Sequence, residues 1–376
     1  MITAQSFIQS AMDCGFTHYS GVPCSYLKPF INYVIDDPGL NYIGAANEGD
    51  AVAIAAGAQL GGTRAVVMFQ NSGLGNAINP LTSLCYTFNI PVLLIITLRG
   101  EPEGAPDEPQ HNLMGEITTR MLELMQVPWE YFPDREQDIA PVLERALQYM
   151  DRTHLPYALI MRKGAVNKWP LHTEPQSRTI YSCYNKSPSA IVGTRAQTLR
   201  VIQCASRQSD ILLATTGYTG RELYALKDKP NQFYMVGSMG CAISLGLGIA
   251  LVQPKRRIIV IDGDGALLMR MGALATTGYE RPDNLLHILL DNQCHESTGG
   301  QSTVSHSIDF NAIAAACGYQ NVRCVASLDE LDNLLGQGKG LTFYHVRIAP
   351  GIPDDLPRPE ITPAQVAQRL RQFIGE

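Results

Sequence analysis

Residues 257–301, RIIVIDGDGALLMRMGALATTGYERPDNLLHILLDNQCHESTGGQ, carry the reading that decides the fold. An apolar strand runs into Gly263-Asp264-Gly265, a helix follows, and a second apolar strand ends in Asp291-Asn292-Gln293. The two glycines let the backbone approach a bulky polar ligand, and the helix behind them offers its unpaired N–H groups to an anion. A phosphate site is the first expectation. Asp264 alters it, because a bare carboxylate repels a diphosphate unless a cation lies between them. Mg²⁺ fills that role, since it takes oxygen ligands and is commonly shared between one or two side chains and substrate phosphates. Asn292 offers a second oxygen and the carbonyl of Cys294 a third.

Gly-Asp-Gly after a strand is, on its own, most often an ordinary turn. No Gly-Lys-Ser/Thr follows, which excludes a Walker loop, and Leu268 stands at the third glycine position of the dinucleotide fingerprint, which excludes that as well.

Outward from this stretch the same alternation continues. The first half reads as a helix capped by Thr3, strand 16–20, a turn at 21–25, a helix from Tyr26, strand 42–46, a small-residue helix after Asn47-Glu48, strand 64–70, helix 75–88 and strand 91–97. A long Pro- and acid-rich stretch, 100–115, is expected to be functional or mobile. Helices near 116–125 and 135–150 and strand 157–162 close this half. Residues 166–188 lose periodicity and gain Pro and Ser, a linker composition. A second series begins with helix 189–206 and ends with a helix opened by Thr362-Pro363. The expected architecture is α/β: two doubly wound parallel-sheet domains, 1–165 and 189–376, joined by 166–188, with no central domain.

With 376 residues and 45% hydrophobic content the chain can bury sizeable cores, and its net charge of −6 argues against nucleic acid or an anionic membrane as partner. No apolar run approaches the roughly 20 residues that span a bilayer, and MITAQSFIQSAMDCG reads as an amphipathic helix rather than a signal peptide, so a cytoplasmic protein is expected. The nine cysteines show no Cys-x-x-Cys and fit free thiols in a reducing compartment, with Cys14, Cys85 and Cys317 in the core. The eight histidines show no His-x-x-x-His pair, which argues against transition-metal chemistry.

A GDG at one strand end and an Asn-containing turn at the next, one helix later, resembles the signature of thiamine diphosphate enzymes. That resemblance implies a pyrimidine-binding first domain and a diphosphate-binding second domain, with thiamine diphosphate and Mg²⁺ as cofactors. It also implies metal binding by Asp264, Asn292 and the Cys294 carbonyl, and contacts to the cofactor from Gly217, Gly263, Gly265 and Ala266. Glu48 is implied as the carboxyl group that hydrogen-bonds the aminopyrimidine nitrogen N1′, which promotes loss of the thiazolium C2 proton. In Gly237-Ser238-Met239-Gly240, Met239 is implied as the wedge that bends the cofactor and the Gly237 carbonyl as acceptor of its 4′-amino group. Taken alone, Glu48 is equally a dipole-favoured helix-start carboxylate and Met239 a core residue.

Within the family the match is closest to enzymes that decarboxylate 2-oxo acids bearing a distal phosphonate or sulfonate. It rests on Gly21-Val22-Pro23, Arg99-Gly100-Glu101-Pro102, Asp107-Glu108-Pro109-Gln110-His111, Arg162-Lys163-Gly164, Arg221-Glu222-Leu223 and His295-Glu296-Ser297-Thr298-Gly299-Gly300-Gln301. The reaction implied is decarboxylation of 3-phosphonopyruvate to phosphonoacetaldehyde, with sulfopyruvate or another 2-oxo acid as the alternative. Relatives acting on the sulfonate are commonly split into two chains, so a fused chain favours the phosphonate. Arg99, His111, Lys163, Arg221 and His295 are the candidate cations for the distal anion, and Arg99, His111 and His295 join Glu48 as candidate catalytic residues. A homo-oligomer with sites at the subunit interface is implied. Two departures stand out: Cys24 where many relatives have Asp, and Gln293-Cys294 where glycine and a small residue are usual.

Overall fold

A computed structural model, which describes residues 1–104, 106–174, 190–337 and 339–375, contains two six-stranded sheets with every strand pair parallel. Each sheet belongs to its own unit, Met1–Gln176 and Ser177–Glu376.

In the first unit the strands are β1 (Phe16–Gly21), β2 (Asn41–Gly44), β3 (Arg64–Gln70), β4 (Leu93–Thr97), β5 (Trp129–Tyr131) and β6 (Tyr157–Met161), ordered β2-β1-β3-β4-β6-β5. The helices are α1 (Ala4–Asp13), α2 (Lys28–Asp36), α3 (Glu48–Leu60), α4 (Leu74–Pro80), α5 (Asn112–Leu124) and α6 (Ile139–Thr153). β3 and β4 are buried along nearly their whole length, as strands covered on both faces must be. α3 starts where the Asn47 side chain accepts from Asp50 N, 3.0 Å, and its alanines and glycines are buried because they let the helix lie close to β1, β3 and α4. α6 buries Ile139, Val142, Leu143, Ala146 and Met150, a stripe at helical spacing.

The second unit contains α7 (Arg195–Ala205), β7 (Ile211–Ala214), α8 (Tyr218–Leu226), β8 (Gln232–Tyr234), α9 (Ala242–Val252), β9 (Ile258–Gly263), α10 (Asp264–Met269), α11 (Gly272–Glu280) and β10 (Leu285–Asp291). A short antiparallel hairpin of β11 (Cys294–His295) and β12 (Gln301–Ser302) follows, then α12 (Phe310–Ala316), β13 (Asn321–Val325), α13 (Leu328–Leu335), β14 (Thr342–Arg347) and α14 (Pro363–Gly375). Its sheet is ordered β13-β14-β10-β9-β7-β8. Read from the other edge and skipping the hairpin, this is the strand order of the first unit.

The expected α/β architecture with two doubly wound sheets is observed, and the differences are local. Helix 75–88 is one α-helix only to Pro80; residues Leu81–Tyr86 continue it as a wider π-type coil, because proline supplies no N–H to the preceding turn. The edge strand β5 was not expected, being three residues long. The first helix of the second half starts at Arg195 rather than 189, where Thr194 and Gln197 form a capping box. Half of the 100–115 stretch is helical, through a 3₁₀ turn at Pro109–His111 that leads into α5. Of the segment 166–188, residues 175–188 lie outside the described residues. Residues 166–173 are tied to the first unit: Val166 bridges Ile2, and Asp36 accepts from Trp169 Nε1 at 2.9 Å and from Thr173 N at 2.9 Å. Cys183 also lies outside the described residues; none of the other eight cysteines is disulfide-bonded to another, with Cys85 buried, Cys14 and Cys317 only half-buried, and Cys204 exposed. No helix among the described residues is long and apolar enough to cross a membrane.

Candidate active site

The strand order of the second unit creates a crevice. From β7 the chain goes to β8 on one side and then to β9 on the other, so the loops leaving the carboxyl ends of β7 and β9 diverge. Into this gap converge Thr215–Thr219 after β7, Gly263–Ala266 after β9, Asn292 and Cys294–Ser297 after β10, and Met239 ahead of α9. The cavity therefore collects Gly217, Met239, Gly263, Asp264, Gly265, Ala266, Asn292, Cys294 and His295 from the residues singled out in the sequence. Gly237 and Ser238 stand just outside it. Ser238 is buried in a left-handed conformation (φ 53), and its carbonyl accepts from Cys241 N at 3.0 Å as the chain enters α9.

One side of the cavity suits an anion. α8 and α10 both start here with glycine N-caps, Gly217 and Gly263, and neither has a side-chain cap. The first N–H groups of α8 are left for a ligand, whereas those of Asp264 and Gly265 at the start of α10 donate to the Asp264 carboxyl. Gly217 holds φ 89, ψ −145, a conformation that L side chains rarely adopt, and the space around its Cα is open. The Thr215 hydroxyl is buried without a hydrogen-bond partner.

The other side suits a cation. Asp264 is 3% exposed, and burial pushes its carboxyl above the ordinary range, with the Thr303 hydroxyl opposing and the Asp291 carboxylate adding to the rise. Asn292 Oδ1 accepts from Cys294 N at 3.2 Å, in a tight turn that places Gln293 at φ 61. No group of three His, Cys, Asp or Glu residues among those described forms a metal cage by itself. A cation at Asp264 and Asn292 would thus complete its shell from a bound ligand, as Mg²⁺ does with phosphates. Oxygen acceptors facing the uncapped start of α8 across one cavity fit a metal diphosphate. His295 and Met239 rest against Gly265: a Cβ there would stand 2.6 Å from His295 Cε1 and 3.4 Å from Met239 Cε.

A buried ion cluster supports the hairpin side. The Arg195 guanidinium lies between Glu222 (Nη1 to Oε1, 2.7 Å) and Glu296, while Gly351 N donates to the other Glu296 oxygen. Burial raises the Glu222 carboxyl pKa against the pull of Arg195. Glu296 is thereby fixed beside His295. Sequence reading missed Arg195, because an arginine in a helix's first turn looks like any solvent-facing residue. Arg221 is not brought to the cavity: its Nε and Nη2 donate to the carbonyls of Pro357 and Leu356, and its guanidinium stacks on Tyr218 at 5.5 Å.

The remaining candidates sit in the first unit. Glu48 opens α3; its Oε2 accepts from Asn76 Nδ2 at 2.8 Å, and its other oxygen lies against the Cα of Gly73. Arg99, expected as a free cation, is paired in two-pronged fashion with Asp107, which also accepts from Gly100 N, Glu108 N and the Tyr26 hydroxyl. This pair folds the 100–108 loop back onto the end of β4. His111 is 6% exposed, and its Nδ1 is buried with no partner among the described residues. Lys163 is exposed. Cys24 Sγ donates to Gln70 Oε1 at 3.3 Å and lies 3.5 Å from Thr97 Oγ1.

Comparison with known proteins agrees with this geometry. Residues 1–119 match the family described as thiamine pyrophosphate enzyme, N-terminal TPP binding domain, and residues 216–343 match its C-terminal TPP binding domain. The chain belongs to the thiamine pyrophosphate enzyme family. Among its relatives, the phosphonopyruvate decarboxylase of Streptomyces viridochromogenes is 44% identical over 380 residues, covering 100% of this chain and 95% of the relative. The sulfopyruvate decarboxylase of Methanosarcina acetivorans is 29% identical over 386 residues, covering 98% and 97%. That second relative is itself a single chain of matching length, so a fused chain does not separate the two substrates, contrary to expectation. Benzoylformate decarboxylase from Polynucleobacter necessarius shares the fold, with a TM-score of 0.72 at 15% identity over 94% of this chain and 100% of that one.

Proposed function

We propose that this chain decarboxylates 3-phosphonopyruvate to phosphonoacetaldehyde and CO₂, using thiamine diphosphate and Mg²⁺. The observation that carries it is the end-to-end likeness to a phosphonopyruvate decarboxylase at 44% identity, against 29% for the sulfopyruvate enzyme. Eight cysteines with no disulfide between them among the described residues agree with a reducing, cytoplasmic setting.

The cofactor, when bound, supplies the electron sink that accepts the bonding pair as CO₂ departs. Asp264, Asn292 and the Cys294 carbonyl hold Mg²⁺. The N–H groups opening α8, with the Thr215 hydroxyl, would take the diphosphate. Gly237, Ser238 and Met239 would hold the cofactor on the α9 side. Glu48 hydrogen-bonds the pyrimidine ring, and Asn76 keeps one of its oxygens occupied as an acceptor. His295, resting on Gly265 beside Met239, is assigned delivery of the proton that replaces CO₂ on the substrate carbon. The distal phosphonate needs cations. His111, Lys163 and His295 remain for it, and Arg99 joins them only where Asp107 yields. Since the groups assigned to the ring and to the diphosphate lie in different units, the enzyme is proposed to work as a homo-oligomer with a two-fold dimer as its minimal form.

Measuring kcat/KM for phosphonopyruvate, sulfopyruvate and pyruvate at one pH, with the aldehyde product identified, tests this. Pyruvate forgoes the distal contacts; two charge-assisted hydrogen bonds at about 1.5 kcal/mol each predict a preference of about a hundredfold for phosphonopyruvate. A higher value for sulfopyruvate would transfer the assignment to the second relative's reaction.

A further inference from the structure

The oxygens assigned to the metal come from two neighbouring strand ends, Asp264 after β9 and Asn292 after β10, and both must be held at a fixed spacing. The hairpin β11–β12 supplies the link. Cys294 pairs with Ser302 and His295 with Gln301, so the chain turns back under the Asn292 turn, where Thr303 N donates to Gln293 O at 3.0 Å. The Thr303 hydroxyl then donates to Asp264 Oδ2, a residue 39 positions earlier. Its oxygen lies 2.9 Å from that of Ser305, whose hydroxyl donates to Asp291 Oδ1 at 3.0 Å and whose N–H reaches back to Thr303 Oγ1 at 3.4 Å. Asp291 also accepts from Gln293 N at 3.0 Å and meets His345 Nε2 at 2.9 Å. Thr303 and Ser305 are each 3% exposed, Asp264 3% and Asp291 1%.

We propose that Thr303 is the positioning residue for the metal-binding carboxylate: its hydroxyl, braced by Ser305 on Asp291, fixes the Asp264 carboxyl and ties it to the turn that carries Asn292. The inference rests on the proposed cofactor and metal. The choice of a hydroxyl follows from electrostatics. An arginine or lysine would hold Asp264 as firmly but cancel the charge the cation needs, whereas a neutral donor leaves that charge in place and occupies Oδ2 alone. The same Asp291 orders the Gln293 turn, so one run of hydrogen bonds sets both ligand-bearing strand ends. Partners that orient metal ligands in this way typically account for 10- to 100-fold in metal affinity.

The test uses the full chain with thiamine diphosphate and Mn²⁺ as the metal probe, free Mn²⁺ being read by electron paramagnetic resonance. Thr303→Val keeps the shape and removes the hydroxyl; Thr303→Ser keeps the hydroxyl. Thr303→Val is expected to raise the Mn²⁺ Kd about tenfold to a hundredfold, with kcat recovering at saturating metal, while Thr303→Ser stays close to wild type. Ser305→Ala, which keeps the N–H to Thr303 and removes only the hydroxyl that anchors it on Asp291, shifts the Kd in the same direction by less and serves where Thr303→Val does not fold. If wild type binds thiamine diphosphate equally well without metal, the metal assignment itself fails, and this inference with it. If wild type needs metal but Thr303→Val binds Mn²⁺ unchanged, or Thr303→Ser is as impaired as Thr303→Val, the positioning role alone is overturned.

Discussion

Glu48 shows how closely one side chain can be constrained by another with no side chain at all. A Cβ on Gly73 would stand 2.1 Å from Glu48 Oε1, so only glycine leaves room for the carboxyl in its present place. Gly73 itself has φ −83, ψ −6, which alanine adopts freely. Gly73→Ala should therefore displace Glu48 without straining the backbone. The expected outcome is a fall in kcat of about a hundredfold or more, the lower range for losing an acid–base group, with a melting temperature within a few degrees of wild type. Steady-state kinetics beside calorimetry distinguishes this from unfolding, since a large drop in melting temperature with normal kcat in the surviving fraction contradicts it. Glu48 itself was legible in the sequence, because a carboxylate between a strand and a small-residue helix belongs to a pattern. Asn76 was not, as its amide reaches Glu48 from a separate helix and no spacing predicts it. Arg99 was legible as a charge but not as a paired one: an Asp eight residues further along an irregular loop returns to it only through the fold.

At the scale of elements, Asp107 ties the stretch after β4 back onto Arg99, with the Arg162–Glu101 ion pair beside it. Hydrogen bonding to Arg99 is the main cause that holds Asp107 well below the usual carboxylate range, against the effect of burial. A carboxyl group whose folded pKa is lowered contributes its full stabilisation above its unfolded value, about 3.9, and loses it as the pH falls through the lower folded value. Hydrogen exchange of peptides spanning 98–112 should accordingly be flat from pH 7 to 5, once corrected for intrinsic rates, and rise only below about pH 4. Asp107→Asn should show the fast exchange already at pH 7. Equal protection in both proteins at neutral pH would show that the loop is held by something else. Elements with strong periodicity, such as β3, β4, α3 and α6, could be placed from the sequence because burial imposes their pattern. β5, β11 and β12 could not, for a strand of two or three residues has too few positions to show an alternation, and the wide coil after Pro80 reflects one proline's missing N–H rather than any period.

For the whole molecule, the groups assigned to the cofactor divide between the two units: Glu48 in the first, and Asp264, Asn292 and Met239 in the second. In the proposed dimer each site takes its ring contact from one subunit and its metal contacts from the other. Glu48→Gln and Asp264→Ala homo-oligomers should each be nearly inactive. Mixed under conditions that exchange subunits, they should regain up to about a quarter of wild-type activity, because random pairing makes half the molecules mixed and each of these holds one intact site of two. Activity that stays at the level of the separate variants rules out the shared site. The repeated strand order has a further consequence. Each sheet completes its own switch point and its own hydrophobic layers, and no strand is exchanged between the two. Covalent continuity between residues 174 and 190 is then a matter of gene structure rather than of folding. Two open reading frames encoding 1–176 and 177–376, expressed from one transcript, should yield polypeptides that purify together and decarboxylate the same substrate. The enzyme could pass between one gene and two in evolution without any change in its chemistry.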